Sequence, residues 1–560
     1  MWHLLMNASS PLGGGAPKRV KVKSSLLRRR PYIPVISVFF VAICTVLPYS
    51  IFGLRVAGGS KSNDQQTLRF GMLTYKPVNE VDPARIRTIE EYHYLRSIYS
   101  PLVEYSKDGN LVGSLAEKFY WDGTNLVFHL RANAKSSKGD PITAEDAMLS
   151  IKRLLILETN SHGNLKRLLC EDQNLDSLYQ PCPGLVVENE RLVLRFDRQR
   201  HYLIPMLANL DFAILPKKSF DHYSLAIIDH FNSSGPYVLI RDDPKLKVVS
   251  LKARPEHWLY RPDMPQEVDH VQLIDADGKP LNNTERLDAL TSGVVDVLPT
   301  FSLFDGKRAL KLAKADQNLQ LFKTQNIALS AVMFTEKGLQ RFSPRQRMAI
   351  GKELRSRVAA YFPEPDAVRK PTFEYFPKSG AGQLSDIDFK LIRDEIDSLS
   401  TSDCTLTDDS KATLGIPDFS IEFSKQMYGT EGKCYRIVSW NDLKLTTKTG
   451  TGSDLPELRT ITTDVSFNEN FSLLFYTASL GVFPYSEDAN QKWLENYMLE
   501  ENASNRLSMM ERLHADLIRH AAIIPLASMP YLAMARKPWK LNFSDTMAGS
   551  PLWLISYESF

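Results

Sequence analysis

The chain has 560 residues, of which 43% are hydrophobic, 24% charged and 10% aromatic. This ordinary globular composition excludes a largely disordered, collagen-like or multi-span membrane protein. Residues 1–60 hold eight basic residues and no acidic one, which leaves 60 basic against 65 acidic residues in the remainder. Because that remainder is mildly acidic, we expect no nucleic-acid partner.

The N-terminal residues predict that the chain is targeted to a membrane. A basic tail at 1–30 precedes residues 31–54, which carry no charge. A helix of that length spans a bilayer, and the basic residues before it orient the rest of the chain outside the cytoplasm. The length favours an uncleaved transmembrane anchor in the cytoplasmic membrane, with a cleaved signal sequence or a buried core helix as alternatives. The expected location is therefore periplasmic or extracytoplasmic, at the inner membrane.

Periodicity then predicts a mixture of strands and helices. Strands are predicted at residues 67–73, 126–130, 246–251 and 268–274, with a hairpin at 186–196. A helix is predicted to begin after Thr143, because Asp146 lies in its first turn and an apolar stripe follows at 147–155. Further helices are predicted at 345–358 and 503–522, and an acidic, turn-rich loop region at 386–418. The predicted class is α/β or α+β with two lobes, since no regular βαβ rhythm is present.

Four cysteines follow the apolar run, an even number that permits two disulfides in an oxidising compartment. The simplest pairing joins Cys170 to Cys182 and Cys404 to Cys434, because each bond closes a local loop. The other connectivities and buried free thiols are the alternatives. No Cys-x-x-Cys pair or close His pair occurs, so we expect no metal site.

Familiar reaction motifs are absent from the sequence. It contains no phosphate-binding loop ending in Gly-Lys-Ser/Thr, no Gly-x-Ser-x-Gly and no His-Glu-x-x-His. These absences favour binding over catalysis, and we expect no cofactor and no catalytic residues.

Several segments, in chain order, together resemble a known family. They are VDP at 81–83, IYSPLVEY at 98–105, LAEKF at 115–119, LVFHLR at 126–131, GDPITAED at 139–146, GPY at 235–237, RPEHW at 254–258, LTSGVVD at 290–296, RQRMAI at 345–350 and AAIIPL at 521–526. This order is similar to that of the family 5 extracellular solute-binding proteins, the peptide- and nickel-binding components of ABC importers. The resemblance covers about residues 67–540.

The resemblance implies a two-lobed α/β fold like that of class II periplasmic binding proteins, with an extra hairpin subdomain. Lobe one is expected at 67–105, 200–300 and 526–560, its appended subdomain at 106–199, and lobe two at 301–525. The implied function is capture of a peptide or peptide-like solute for an ABC permease, without enzymatic activity. A membrane-anchored solute sensor or scaffold on the same fold is the first alternative, and an exported enzyme is the second.

By motif position, four side chains are expected to line the ligand cleft: Tyr75 from lobe one, and Met333, Trp440 and Tyr485 from lobe two. An ordinary core or surface position is the alternative for each. Many peptide-binding members carry an Asp in lobe two that pairs with the ammonium group of the peptide. The corresponding residues 477–485 contain no acid here. We therefore expect peptides with a free N-terminus to be weaker ligands than for typical members, because an unpaired buried ammonium is costly.

Overall fold

The structure is a computed structural model that describes residues 67–86, 89–106, 108, 110–157, 159–170, 175–200, 202–275, 277–300, 306–326, 328–362, 369–375, 383–404, 411–440, 455–464, 482–543 and 551–558. The basic tail and the apolar run predicted to be an anchor lie outside these ranges. Within them, no helix combines the length and the apolar character that a bilayer crossing requires.

The described residues contain strands of two to seven residues. They are β1 (Thr67–Met72), β2 (Val103–Tyr105), β3 (Leu111–Gly113), β4 (Ala116–Asp122), β5 (Asn125–Leu130), β6 (Leu185–Glu188), β7 (Arg191–Arg195), β8 (Tyr237–Asp243), β9 (Val248–Ala253), β10 (Glu267–Gln272), β11 (Val297–Thr300), β12 (Leu319–Lys323), β13 (Ala328–Phe334), β14 (Lys370–Pro371), β15 (Ala412–Ile416), β16 (Tyr435–Ser439), β17 (Leu458–Asp464), β18 (Ile523–Met529), β19 (Leu532–Arg536), β20 (Trp539–Leu541) and β21 (Ile555–Tyr557).

The α-helices of the same ranges are α1 (Ile89–Ile98), α2 (Ala144–Leu157), α3 (Thr159–Cys170), α4 (Leu203–Leu207), α5 (Asn283–Thr291), α6 (Gly306–Ala315), α7 (Glu336–Arg341), α8 (Pro344–Tyr361), α9 (Asp386–Ser398), α10 (Asp418–Tyr428), α11 (Glu487–Leu499) and α12 (Ala503–His520). Sequence signals set several of these boundaries. Ser343 and Gln346 form a reciprocal capping box at the start of α8, and Pro344 occupies its first turn. Asp146 accepts hydrogen bonds from the backbone N–H and hydroxyl of Thr143, as the first-turn acid of α2 predicts.

The first lobe is built on a seven-stranded sheet with the order β12-β19-β11-β1-β10-β9-β8. Strand β1 lies in its centre, parallel to both β10 and β11. Leu68, Phe70 and Val268 are fully buried on one face, in a core cluster shared with α1. The other face packs Leu298 and Leu287 in a separate cluster with α5. Both faces are thus covered, as for most sheets with parallel strands.

The second lobe is built on a six-stranded sheet with the order β14-β18-β13-β17-β15-β16. All seven residues of β13 are buried, because apolar clusters cover both faces of this strand. Leu329, Ala331 and Met333 point into the core cluster that also contains residues of α12. The alternate side chains Val332 and Phe334 point into the cluster formed with α8 and α10.

A smaller subdomain carries a four-stranded antiparallel sheet with the order β4-β5-β7-β6. The predicted hairpin at 186–196 is β6–β7, whose turn places Asn189 and Glu190 at positive φ. Helices α2 and α3 supply buried side chains such as Leu154 and Leu169, which lie in one core cluster with Phe128 of β5.

Two predicted features differ from the structure. Strand β12 pairs with β19 in the first sheet, and β18 remains in the second sheet up to Met529. The chain therefore passes between the two sheets after Lys323 and after Met529, whereas the expected limits are 301 and 526. The region 386–418, expected to be a loop, contains α9 and β15. Ser385 caps α9, and Ile392 and Ile396 are buried one helical turn apart.

Both cysteine pairs of the simplest predicted connectivity are bonded in the structure. Cys170 at the end of α3 is joined to Cys182, with 4.3 Å between their Cα atoms. Cys404 is joined to Cys434, with 5.4 Å between their Cα atoms. The first bond closes a loop within the subdomain, and the second links α9 and its following turn to β16.

Candidate functional site

The two connections between the sheets run side by side and define where a cleft between the lobes opens. One connection leads from β12 to β13 and the other from β18 to β19. Thr300 of β11 and Lys323 of β12 both lie opposite Leu532, at the same end of the first sheet. Ala328 of β13 lies opposite both Asp464 and Met529 at the adjoining end of the second sheet. Groups at these strand ends face the junction of the lobes.

Tyr75 follows the carboxyl end of β1, on the side of the first sheet that faces this junction. Its hydroxyl donates a hydrogen bond to Asp242 Oδ1 at 2.5 Å, and the ammonium group of Lys247 lies 5.2 Å from the ring centroid. Partial burial, followed by the bond to Asp242, raises the pKa of Tyr75 above its ordinary value, so the phenol stays protonated. Tyr75 is half-buried against the core of the first lobe.

Met333 occupies a different environment. Its side chain is fully buried in a core cluster, and it lies opposite Arg459 of β17. Met333 lies five positions beyond Ala328, which corresponds to about 17 Å along the strand away from the connections. Met333 is therefore a core residue in this structure, and its contribution to the cleft stays a prediction.

Trp440 follows β16, at the free edge of the second sheet. Its backbone N–H donates to the carbonyl of Ile416 at 2.8 Å, and the guanidinium of Arg459 lies 5.9 Å from the ring centroid. Gly415 makes this approach possible, since a Cβ there would come within 3.1 Å of the Trp440 ring. The row across the sheet that contains Met333 continues through Arg459 and Gly415 to Val438, and the Trp440 ring packs over Gly415 and Arg459.

Tyr485 precedes α11 and contacts α12. Its hydroxyl donates to Asp516 Oδ2 at 2.6 Å, and its ring meets that of Phe483 edge to face at 6.4 Å. Partial burial and the bond to Asp516 raise the pKa of Tyr485. Tyr485 packs against the same core cluster as Met333, whereas Tyr75 packs against the core of the first lobe. The sequence did not identify Asp516, because nothing in the residues of α12 indicates which loop packs against this helix.

Several of the recognised motif residues attach the subdomain to the first lobe. The buried guanidinium of Arg254 donates to the carbonyls of Lys135, Ser136 and Gly235 at 2.8–3.0 Å. Arg153 of α2, also buried, forms an ion pair with Asp82 and donates to the carbonyl of Leu225 at 2.8 Å. These bonds satisfy charges that would otherwise be costly to bury. The Arg and Asp residues at these positions therefore hold the subdomain against the first lobe.

The subdomain also contacts the second lobe through a seam, which we define by Arg167, Arg198, Glu495 and Glu501. Arg167 of α3 forms an ion pair with Glu495 of α11 at 2.8 Å. Arg198 lies 3.8 Å from Glu501, just beyond α11. Side chains of α3 and α11, Leu169 and Tyr497 among them, belong to one apolar cluster. The seam is a second contact between the lobes, separate from their two connections.

Among the described residues, one group has the composition of a metal site: Glu353, Cys404 and Cys434. Both sulfur atoms are in the disulfide, so neither is a thiolate ligand. The Glu353 carboxylate instead accepts hydrogen bonds from the backbone N–H groups of Lys433 and Cys434, at 2.8 and 2.9 Å. The group is a structural cap on the disulfide loop.

Comparison with known proteins extends this description. Residues 110–350 match the family model of the bacterial extracellular solute-binding proteins, family 5. A curated binding protein of Haemophilus influenzae is 31% identical over 208 residues, which are 35% of this chain and 38% of that protein. This chain thus aligns with less than half the length of that relative. The periplasmic oligopeptide-binding protein OppA of Salmonella typhimurium is 33% identical over 102 residues, 18% of each chain.

Solved structures are similar over a larger part of the chain. The murein tripeptide binding protein MppA of Escherichia coli has a TM-score of 0.67 and 16% identity, covering 88% of this chain and 98% of its own. A periplasmic oligopeptide-binding protein of Borrelia burgdorferi has a TM-score of 0.69 and 14% identity, covering 88% and 100%. At these identities the likeness shows the fold, that of two-lobed periplasmic binding proteins. Together, the matched family model over residues 110–350 and the shared fold make the chain similar to the bacterial extracellular solute-binding proteins, family 5.

Proposed function

We propose that the protein captures a peptide or peptide-like solute between its two lobes, outside the cytoplasmic membrane, and delivers it to an ABC permease. The observation that carries this proposal is the pair of adjacent connections that follow Lys323 and Met529, which link two separately packed sheets. Such a linkage permits hinge closure around a ligand. Relatives named as oligopeptide-, dipeptide- and murein-peptide-binding proteins support a peptide-like ligand.

The chemistry around Tyr485 bears on the class of peptide. Asp516, which accepts the hydrogen bond of Tyr485, is a half-buried carboxylate of lobe two close to the aligned segment that lacks an acid. One of its oxygens already receives the tyrosine hydroxyl. The absence of an acid at 477–485 still favours solutes whose amino end is blocked or absent, because each buried ammonium needs a counter-charge.

Membrane attachment through residues 31–54 is part of the proposal. The charge step at Arg30 and Pro31 supports an orientation with residues 55–560 outside. A phosphatase fused after Ser60 should then be active in a bacterial host. An inactive phosphatase, together with an active cytoplasmic reporter fused at the same point, would refute this orientation.

The ligand itself is the decisive test of the function. The full chain, extracted in mild detergent and washed, should release a small peptide-like molecule on denaturation, detected by mass spectrometry. Adding that molecule back should raise the melting temperature, because a ligand that binds only the folded state stabilises it. If no such molecule is released, and a library of free and N-acetylated peptides leaves the melting temperature unchanged, the proposed function is wrong.

A further inference from the structure

Two exposed tyrosines lie in contact on the surface, where a loop of the subdomain meets a loop of the first lobe. Tyr223 is 85% exposed and Tyr179 is 63% exposed, and these are the two most exposed aromatic side chains of the described residues. Their ring centroids are 5.5 Å apart, with the planes tilted by 45°. Ile228, 66% exposed, belongs to the same loop as Tyr223. The two side chains also share a hydrogen bond, and most of both rings remains in solvent.

Two neighbouring residues of α2, Lys152 and Arg153, form hydrogen bonds with the backbones of the loops that carry the tyrosines. Lys152 is 5% exposed, and its ammonium group donates to the carbonyls of Leu178 and Gln180 at 2.5 Å each, on either side of Tyr179. Arg153 is 2% exposed and donates to the carbonyl of Leu225, two residues beyond Tyr223. Buried cations need such partners, and here the partners fix two loop backbones. The loop backbones on which the two tyrosines stand are therefore fixed by hydrogen bonds. Aromatic anchor residues of binding surfaces are held in a similar way.

Acidic side chains lie beside the pair. Asp176 is three residues before Tyr179 and is exposed, and Asp221 is two residues before Tyr223. Asp221 Oδ1 accepts from the backbone N–H groups of Tyr223 and Ser224, at 3.1 and 2.6 Å, which holds that loop in a tight turn. Within the described part of the chain, neither carboxylate has an ion pair with Lys or Arg. The surface thus combines two aromatic faces with unpaired negative charge.

We propose that Tyr179, Tyr223, Asp176 and Asp221 form a docking surface for an arginine-bearing segment of a partner protein. A guanidinium stacks on tyrosine faces and forms hydrogen bonds with carboxylates at its edge, whereas a lysine ammonium stacks less well. The negative charge beside the rings disfavours anionic lipid surfaces and acidic segments. The surface lies where the subdomain meets the first lobe.

The test uses the full chain and short blocked peptides in which arginine, lysine, glutamate or leucine alternates with glycine, with affinities measured by calorimetry. The arginine peptide should bind about fivefold more tightly than the lysine peptide, from one cation–π contact. Tyr179→Ser combined with Tyr223→Ser should abolish this preference, and Asp176→Asn should weaken binding of both cationic peptides. Tyr120→Ser is the matched control, because Tyr120 is 41% exposed on the subdomain sheet and stacks on His129 at 5.7 Å.

Other outcomes overturn the proposal. Equal binding of the arginine and lysine peptides would indicate charge attraction alone, and equal binding of the leucine peptide would indicate an apolar partner. A loss of self-association in the tyrosine variant, measured by sedimentation, would make a second copy of the chain the occupant. If the double variant fails to fold, Tyr223→Ser alone gives the same comparison, because this side chain is mostly exposed.

Discussion

Thr324 and Tyr531 are joined by reciprocal hydrogen bonds across the two connections between the lobes. The backbone N–H of Tyr531 donates to Thr324 Oγ1 at 2.8 Å, and the backbone N–H of Thr324 donates to the Tyr531 carbonyl at 3.1 Å. Both residues are buried, with exposures of 3% and 0%. The pair holds the two connecting segments together. A change in the angle between the two sheets therefore has to change the backbone conformation of both segments next to this pair.

The first prediction concerns this pair. Thr324→Val keeps the shape of the side chain but leaves the Tyr531 N–H without its acceptor, so we expect the free energy of unfolding to fall by about 1–3 kcal/mol. Thr324→Ser should retain most of the stability. Thr291→Val is the control, because its hydroxyl bonds the Asp288 carbonyl at an exposed helix end. Urea unfolding curves that fail to separate Thr324→Val from Thr291→Val would contradict this role.

The second prediction concerns the seam between the subdomain and lobe two. Glu495→Lys places like charges at the Arg167 contact, so the ligand-free lobes should separate more often and the radius of gyration from X-ray scattering should increase. Adding Arg167→Glu should restore the original value. Glu188→Lys is the control, because Glu188 pairs with Arg195 inside one hairpin. No change in scattering with Glu495→Lys would mean that the seam does not hold the lobes together.

Local periodicity predicted strands well where apolar and polar residues alternate strictly, and helices well where apolar residues recur at helical spacing. Strand β5, the hairpin β6–β7 and helix α2 all lie where alternation or helical spacing placed them, because these patterns depend on neighbouring residues alone. Helix α9 was missed because its many acidic residues resemble a loop, although Ile392 and Ile396 carry the helical period. Composition obscured a regular apolar spacing.

Long-range features were harder to predict. Nothing in residues 319–323 indicates that they pair with 532–536, more than 200 positions away, so the lobe boundary was placed too early. The same limitation affected the site. Met333 was assigned from its position in the chain, but core clusters cover both faces of β13, one of them formed with α12 and the other with α8 and α10. Asp516 was not identified because its contact with Tyr485 is made by tertiary packing.

The third prediction concerns acid stability. Burial lowers the pKa of His93, His257 and His270 to about 3, so all three are neutral in the folded protein at neutral pH. Between the unfolded pKa of about 6.5 and the folded value, the unfolded chain binds more protons, and stability is lost as the pH falls below about 6.5. His270→Leu should reduce the slope of unfolding free energy against pH by about 1.4 kcal/mol per unit between about pH 6 and pH 4.

His270→Leu should leave stability at pH 7 unchanged or higher, because neither ring nitrogen of the buried His270 has a hydrogen-bond partner among the residues that the structure describes. An unaltered slope in His270→Leu, with the fold intact by circular dichroism, would show that His270 does not stay neutral in the folded state.

The fourth prediction concerns the disulfides. In protein isolated from its native compartment, non-reducing peptide mapping should recover Cys170 linked to Cys182 and Cys404 linked to Cys434. Replacing both members of one pair by serine should lower the free energy of unfolding by about 2–5 kcal/mol. Recovery of four alkylatable thiols from that compartment would contradict an oxidising location.

The last prediction separates ligand contacts from core packing in lobe two. Trp440 and Tyr485 are half-buried, whereas Met333 is fully buried, so the three side chains provide a matched comparison. If Trp440 and Tyr485 line the cleft, Trp440→Ala and Tyr485→Ala should weaken binding of the released ligand while lowering the unfolding free energy by much less than the roughly 3–5 kcal/mol expected for a core aromatic. Tyr485→Phe, which removes only the bond to Asp516, should report on that hydrogen bond alone.

Met333→Ala should behave in the opposite way, because the cavity it leaves costs about 2–5 kcal/mol of stability while the ligand contacts stay intact. Calorimetric affinities referred to the folded fraction, together with urea unfolding curves, distinguish the two classes. If Trp440→Ala and Tyr485→Ala instead follow Met333→Ala, losing stability with unchanged affinity, then both are core residues. The cleft would in that case be lined by other groups at the strand ends near Lys323 and Leu532, where the two lobes meet.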